Sequence, residues 1–312
     1  MKVLHLEENH PTLIKGLQAL GFKNDAAYTD SLAEILAKID QYEGLIIRSK
    51  YPIDEDFLAR AKKLKFIGRV GAGLENIDVK AVESRNIHLL NAPEGNRNAV
   101  GEHALGMLLS LMNRLKEGHA SIQSGLWDRE GHRGWELSGR TLGVIGYGNT
   151  GKSFAKRISG FDVKTLCYDI LDNVGDQYAK QVDWKTLQAE CEIISLHIPQ
   201  TPLTRGMIDK KFIADMGHPF WLLNTARGSA VITEDLVAGL QSQKIMGAGL
   251  DVLEYETRSF SSIFSGDGLP SALQYLMEAD HVLLSPHVAG WTRESHVKLA
   301  TTIVEKVKKL FF

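Results

Sequence analysis

Cysteine is scarce in this 312-residue chain: there are two, Cys167 and Cys191, each inside an apolar segment. Two thiols exclude a disulfide-stapled scaffold and a cysteine zinc site, so both read as buried inert groups and no metal is expected. Net charge is nearly absent too. Lys and Arg number 36 against 38 Asp and Glu, a formal charge of -2. That leaves no electrostatic footprint for nucleic acid or an anionic membrane. Long apolar runs are also missing. No stretch approaches a membrane span, and "MKVLHLEENHP" has too short an apolar run for a signal peptide, with acids following at once. These absences describe a soluble, cytoplasmic protein.

What is present is ordinary globular material, 44% hydrophobic and 24% charged, with ample residues for cores and a length that suggests about two domains. Short apolar runs alternate with amphipathic segments almost throughout. "KVLHL" (2–6), "GLIIR" (44–48), "KFIGRV" (65–70) and "IHLL" (87–90) read as strands, with helical spacing near 12–20, 31–40, 54–63 and 78–85. A turn-rich stretch, "NAPEGNRNAV" (91–100), breaks the series, and a long helical pattern follows over 99–122. After the loop-like 125–139, a second series begins: 141–146, 163–169, 191–198, 219–226, 246–252 and 281–287. Strand alternating with helix predicts parallel βαβ units with helices on both faces of each sheet. The expected fold class is therefore α/β, with two doubly wound parallel sheets. A terminal helix near 292–310 is expected to pack back on the first unit. That makes the first domain discontinuous, 1–97 plus 289–312, and the second 98–288.

"GVIGYGNTGKSFAKRI" sets Gly146, Gly148 and Gly151 in G-x-G-x-x-G spacing directly after an apolar strand and at the start of a helix. The first glycine permits the tight turn, the second lets backbone approach a pyrophosphate, and the third allows close helix–strand packing. About twenty residues further on, Asp169 ends the next strand, where a carboxylate accepts hydrogen bonds from the ribose hydroxyls and repels a 2′-phosphate. No arginine follows in "DILDN". The expected cofactor is NAD.

Three unusual polar residues sit at or just after later strand ends: Arg227 in "LNTARGS", Glu256 after "GAGLDVLEY", and His287 in "LLSPHVAG". A buried arginine must be paired or used. A nicotinamide dehydrogenase for a hydroxy acid needs a guanidinium for the substrate carboxylate and carbonyl, an imidazole to move the hydroxyl proton, and a carboxylate to orient that imidazole. The expected catalytic set is Arg227, Glu256 and His287.

"GRVGAGLENID", "NAPEGNRNAVGEHALGMLL", "GVIGYGNTG", "HIPQTPLTRGMI", "LLNTARGSAVITEDLVAGL", "GAGLDVLEYE" and "SPHVAG" resemble, in order and spacing, the D-isomer-specific 2-hydroxyacid dehydrogenases over nearly the whole chain. The resemblance implies a Rossmann NAD-binding domain and a flavodoxin-like substrate domain with a cleft between them, and the same arginine, glutamate and histidine set. It implies cofactor contacts at Gly146, Gly148, Asn149, Thr150, Gly151, Asp169, Ile198, Pro199, Thr225, Ala226, Asp251 and Gly290. Substrate carboxylate is expected to meet backbone N–H groups at Val70, Gly71, Ala72 and Gly73. Family members are typically homodimers, with the 99–122 helix and the loop after it at the interface. Three features depart from many relatives: Thr257 stands where a proline commonly follows the glutamate, 257–280 is longer than a minimal connection, and Asn149 replaces the commoner arginine.

The substrate is narrowed by "LIIRSKYPIDEDFL", which places Arg48, Ser49 and Lys50 at a strand end. This resembles the phosphoglycerate dehydrogenases, where an arginine in an "RS" context meets the substrate phosphate. Arg129 in "GLWDREG" is a second candidate that could reach across a dimer. The expected reaction is oxidation of D-3-phosphoglycerate to 3-phosphohydroxypyruvate, as in serine biosynthesis, by an enzyme of the short form without a fused regulatory domain. The alternatives are a glyoxylate or hydroxypyruvate reductase, another D-2-hydroxyacid dehydrogenase and, from a different class, a silent NAD-binding corepressor-like module.

Overall fold

The computed structural model describes residues 1–256 and 268–312, so Thr257 and the first part of the 257–280 stretch lie outside the described residues. The chain divides into two compact units, Met1–Arg97 with Trp291–Phe312, and Asn98–Gly290.

The first unit is built on five parallel strands, β1 (Lys2–His5), β2 (Lys23–Ala26), β3 (Gly44–Ile47), β4 (Phe66–Arg69) and β5 (His88–Asn91), in the order β2-β1-β3-β4-β5. Strand alternation sorts the apolar residues onto two cores. Val3, Ile46 and Phe66 join Leu13 and Leu17 of the helix Pro11–Ala19 and Leu299, Ile303 and Val307 of the helix Arg293–Phe311. On the opposite face Leu4, Leu45, Ile47 and Ile67 pack with Ile35, Phe57 and Val82 from the three remaining helices. The terminal helix thus returns to the first sheet, and its approach is close: a Cβ at Gly95 would stand 2.8 Å from the Leu299 nitrogen. The order reverses between β1 and β3, so their carboxyl ends form the switch point where ligands collect in open α/β sheets.

The second unit holds seven parallel strands: β6 (Thr141–Ile145), β7 (Lys164–Tyr168), β8 (Lys180–Gln181), β9 (Ile193–Leu196), β10 (Phe220–Asn224), β11 (Ile245–Leu250) and β12 (Val282–Leu284). Their order is β12-β11-β10-β9-β6-β7-β8, reversing at β6 and β9. Leu142, Val144, Ile193, Trp221 and Leu223 face one core with Met107, Leu108 and Phe154. Ile145, Ile194, Leu196 and Leu222 face the other with Leu187, Phe212 and Leu236. Among the described residues no helix is long and apolar enough to cross a membrane.

Three local expectations need correction. The stretch 91–100 is not a turn-rich break beyond Ala92, because a helix runs Pro93–Met112. Proline suits the first helical position, where its missing N–H would have no partner, and Glu94 favours the helix N-terminus. The 99–122 helix is in fact two, separated at Asn113 and Arg114, with Arg114 left-handed at φ 51° before Leu115–Gln123 begins. Strands β2 and β8 escaped the pattern because both are polar edge strands, "KNDA" and "KQ".

Candidate active site

The glycine loop joins β6 to the helix Asn149–Ile158. Gly146 is left-handed at φ 88°, and a Cβ there would lie 2.5 Å from the His197 carbonyl oxygen. A Cβ at Gly151 would lie 2.1 Å from the Gly146 oxygen, whereas at Gly148 it would meet nothing within 4 Å. Two glycines are therefore demanded by the protein's own packing, and the middle one leaves open space over the helix N-terminus. Asn149 and Thr150 form the first turn of that helix. This geometry suits a pyrophosphate.

Asp169 follows β7, and its Oδ2 accepts the Tyr147 N–H at 2.7 Å while Oδ1 accepts the Leu171 N–H at 3.0 Å. The carboxylate is thereby fixed beside the glycine loop with lone pairs remaining for two ribose hydroxyls. Tyr147 is itself anchored, since its hydroxyl donates to Asp176 Oδ1 at 2.7 Å. Ile198 is buried and Pro199 exposed just beyond β9. At the end of β10, Thr225 Oγ1 is buried with no hydrogen-bond partner among the described residues, beside buried Ala226. An open glycine, a fixed ribose acid and a partnerless buried hydroxyl fit a nicotinamide dinucleotide.

His197 lies beneath this loop, its Nε2 2.9 Å from Ser195 Oγ and its ring 5.4 Å from that of Phe154. Burial pushes its pKa down to about 3. A folded-state value below the unfolded one means that only the unfolded chain takes up the proton as pH falls. The contribution to stability is complete above about pH 6.5 and is lost as pH drops toward 3, with a slope of up to about 1.4 kcal/mol per pH unit. His197→Gln should flatten this part of the unfolding free energy measured against pH. An unchanged slope would assign the acid sensitivity to other groups, such as His5, which burial shifts in the same direction.

The loops after β10, β11 and β12 bring the acid–base residues together. His287 Nδ1 is 2.7 Å from Glu256 Oε2, and Glu256 Oε1 accepts the Leu253 N–H at 2.7 Å. A carboxylate can only accept, so Nδ1 carries the proton of this pair. Both side chains are about a quarter exposed. Arg227 takes extended backbone, with φ -142°, and donates from one guanidinium nitrogen to the Ala226 carbonyl at 2.6 Å. Its turn abuts the glutamate loop, because a Cβ at Gly228 would lie 1.9 Å from the Leu253 oxygen. Glu254 locks that loop by accepting from the Thr233 N–H and hydroxyl at 2.9 and 2.8 Å.

Asp251, expected near the cofactor, is bound into the protein's own hydrogen bonds. It is 1% exposed, and its carboxylate accepts from Ser285 Oγ and from the N–H groups of Val288 and Ala289. It organises the histidine loop, which continues to Gly290.

The expected substrate residues of the first unit lie at strand carboxyl ends. The N–H groups of Arg48, Ser49 and Lys50 converge on one oxygen, Glu7 Oε2, at 2.6, 2.8 and 3.1 Å. Sequence reasoning missed Glu7; its signal was an acid pair directly after β1 in "LEEN". The Arg48 guanidinium lies over the Trp291 ring at 4.3 Å. Lys50 is committed to structure, since Nζ donates to the Tyr28 and Asp30 carbonyls at 2.6 and 3.1 Å. The N–H of Val70 is bonded to the Ile47 oxygen, and that of Gly71 to the Arg69 oxygen, each at 2.9 Å. Extension of the sheet and a tight turn engage these two donors. Among the described residues the N–H groups of Ala72 and Gly73 have no backbone acceptor. Arg129 lies on the exposed stretch after Gln123.

Residues 105–289 match the model of the "D-isomer specific 2-hydroxyacid dehydrogenase, NAD binding domain" family. The chain is 33% identical to a D-3-phosphoglycerate dehydrogenase of Archaeoglobus fulgidus, an alignment covering 98% of this chain and 56% of that protein. It is also 33% identical to a hydroxypyruvate reductase of Thermotoga maritima, covering 97% and 95%. Among solved structures it resembles the Aquifex aeolicus D-lactate dehydrogenase complexed with NAD and lactic acid, with a TM-score of 0.84, 26% identity and coverage of 99% and 95%. The chain thus spans little more than half of that phosphoglycerate dehydrogenase but nearly all of the reductase. With a glycine loop, ribose acid and paired histidine on one seven-stranded parallel sheet, the chain belongs to the D-isomer-specific 2-hydroxyacid dehydrogenases, and residues 105–289 are its NAD-binding domain.

Proposed function

We propose that the protein is an NAD-dependent D-2-hydroxyacid dehydrogenase that oxidises D-3-phosphoglycerate to 3-phosphohydroxypyruvate, the step that opens serine biosynthesis. The observation carrying the chemistry is the 2.7 Å contact between His287 and Glu256 beside the Arg227 turn. Held by the glycine loop and Asp169, NAD would supply the acceptor for the hydride from C2. His287 Nε2 accepts the hydroxyl proton, and Glu256 holds the ring by Nδ1 and balances the imidazolium charge. Arg227 pairs with the carboxylate and the developing carbonyl oxygen. A silent NAD-binding module would have no need of this oriented histidine.

Arg48 supports a phosphorylated substrate, because stacking on Trp291 orders its planar donors, none of which bonds to an acceptor among the described residues. Reduction of unphosphorylated hydroxypyruvate or glyoxylate is the second reading, and Glu7 favours it. Its carboxylate already occupies the three backbone donors at 48–50, leaving a phosphate there the Arg48 side chain alone. Initial rates on phosphohydroxypyruvate, hydroxypyruvate and glyoxylate decide between them. Arg48→Ala should raise KM for phosphohydroxypyruvate about tenfold or more and leave hydroxypyruvate little changed. Equal losses on both would remove the phosphate role.

The reading includes a cytoplasmic homodimer. Leu115, Ile122, Leu126 and Trp127 are 55–79% exposed in one stretch of chain, an apolar patch that a second copy would cover.

A further inference from the structure

We propose that His103 is a positioning residue for the histidine loop, acting through Ser285 and Asp251; this rests on the reading of His287 as the group that exchanges the substrate proton. His287 holds a left-handed backbone, φ 55°, which costs a non-glycine residue free energy and persists only where the surroundings impose it. Asp251 accepts from all three amides of this turn, and the Ser285 carbonyl shares the His287 N–H at 3.0 Å. The Asp251 carbonyl accepts the His287 N–H at 2.8 Å, Oδ1 accepts the Val288 N–H at 2.8 Å, and Oδ2 accepts the Ala289 N–H at 2.9 Å. Three consecutive amides are clamped by a single buried aspartate.

The orientation of that aspartate is set in turn. Ser285 Oγ lies 2.6 Å from Asp251 Oδ1, and His103 Nε2 lies 3.0 Å from the same hydroxyl oxygen. A serine hydroxyl has one proton, and the carboxylate claims it, so the oxygen must accept from His103 Nε2–H. His103 Nε2 is also 3.6 Å from Asp251 Oδ1. The helix Pro93–Met112 therefore reaches the catalytic loop by a directed chain, His103 to Ser285 to Asp251 to the amides of 287–289. Without the imidazole donor, the serine hydroxyl can turn to another acceptor and the clamp loosens.

The test uses the full chain with His103→Leu, His103→Gln and Ser285→Ala, measuring kcat, the KM values, and amide hydrogen exchange at 287–289 without substrate. His103→Leu should lower kcat about tenfold, the worth of one well-placed hydrogen bond, with little change in either KM, and should speed exchange of the three amides. His103→Gln, whose amide N–H can occupy the Nε2 position, should restore both. Ser285→Ala should reproduce the leucine losses, and the double variant should add little to them. Wild-type exchange and kcat in His103→Leu would overturn the proposal, as would a Gln variant no better than Leu. If His103→Leu does not fold, Ser285→Ala against His103→Gln decides by the same two readouts. Should the wild type turn over no 2-hydroxy acid, the functional reading fails, and the exchange measurement still judges the clamp.

Discussion

His287→Ala should lose about 10²–10⁴-fold in kcat, the range contributed by a positioned acid–base group, while NADH affinity stays near that of the wild type. In the proposed mechanism the side chain meets the substrate proton, whereas the glycine loop and Asp169 would hold the dinucleotide from other strand ends. The left-handed backbone at 287 complicates the alanine variant. His287→Asn is its necessary companion, because asparagine tolerates this conformation far better than most residues. Both should be inactive, and an active asparagine variant would show that the backbone rather than the imidazole matters. The wild type should also show opposite pH limbs in its two directions. Reduction requires the proton on Nε2 and oxidation requires it absent, so both limbs should vanish in His287→Ala. Glu256→Gln leaves one amide oxygen for the two donors, Leu253 N–H and His287 Nδ1–H, and removes the charge facing the imidazolium, and should cost less than loss of the ring. Full activity in Glu256→Gln would sink the pair as the proton-handling unit.

Arg227→Ala should lower kcat/KM by about 10²–10³-fold, the usual consequence of deleting one preorganised donor to a developing oxyanion. Unlike His287, it should damage both constants. In the proposed mechanism its guanidinium would pair with the carboxylate in the ground state, and its contact to the carbonyl oxygen would strengthen as charge develops there. Arg227→Lys should recover little, because an ammonium cannot present two parallel donors. Steady-state kinetics on a 2-keto acid with NADH saturating would show this, and an unchanged KM would exclude the carboxylate role.

Much of the architecture was legible because parallel strands buried on both faces are nearly continuous apolar runs. "GLII" and "FWLL" announce themselves, and residues such as Val3 and Leu4 divide between two cores by strict alternation. The polar edge strands carried no such signal, since a strand with one neighbour and an exposed face need not be apolar. The left-handed break at Arg114 was equally silent, being one backbone torsion in a continuous helical pattern.

In the site, the sequence alone determined the chemistry-bearing residue types and their strand ends. The glycine spacing, Asp169 and the set Arg227, Glu256 and His287 recur at fixed offsets from apolar runs, because a parallel sheet delivers all its carboxyl ends to one edge. Tertiary structure decided how donors and acceptors are shared. Only in three dimensions does Glu7, 41 residues from Arg48, take the amides at 48–50, and only there do Val70 and Gly71 prove already bonded. His103 meets Ser285 across 182 residues of chain. A hydrogen bond depends on separations of a few tenths of an ångström between groups that the fold, not the chain order, makes neighbours. Residue identity names the available chemistry, and packing assigns each proton and lone pair to its partner.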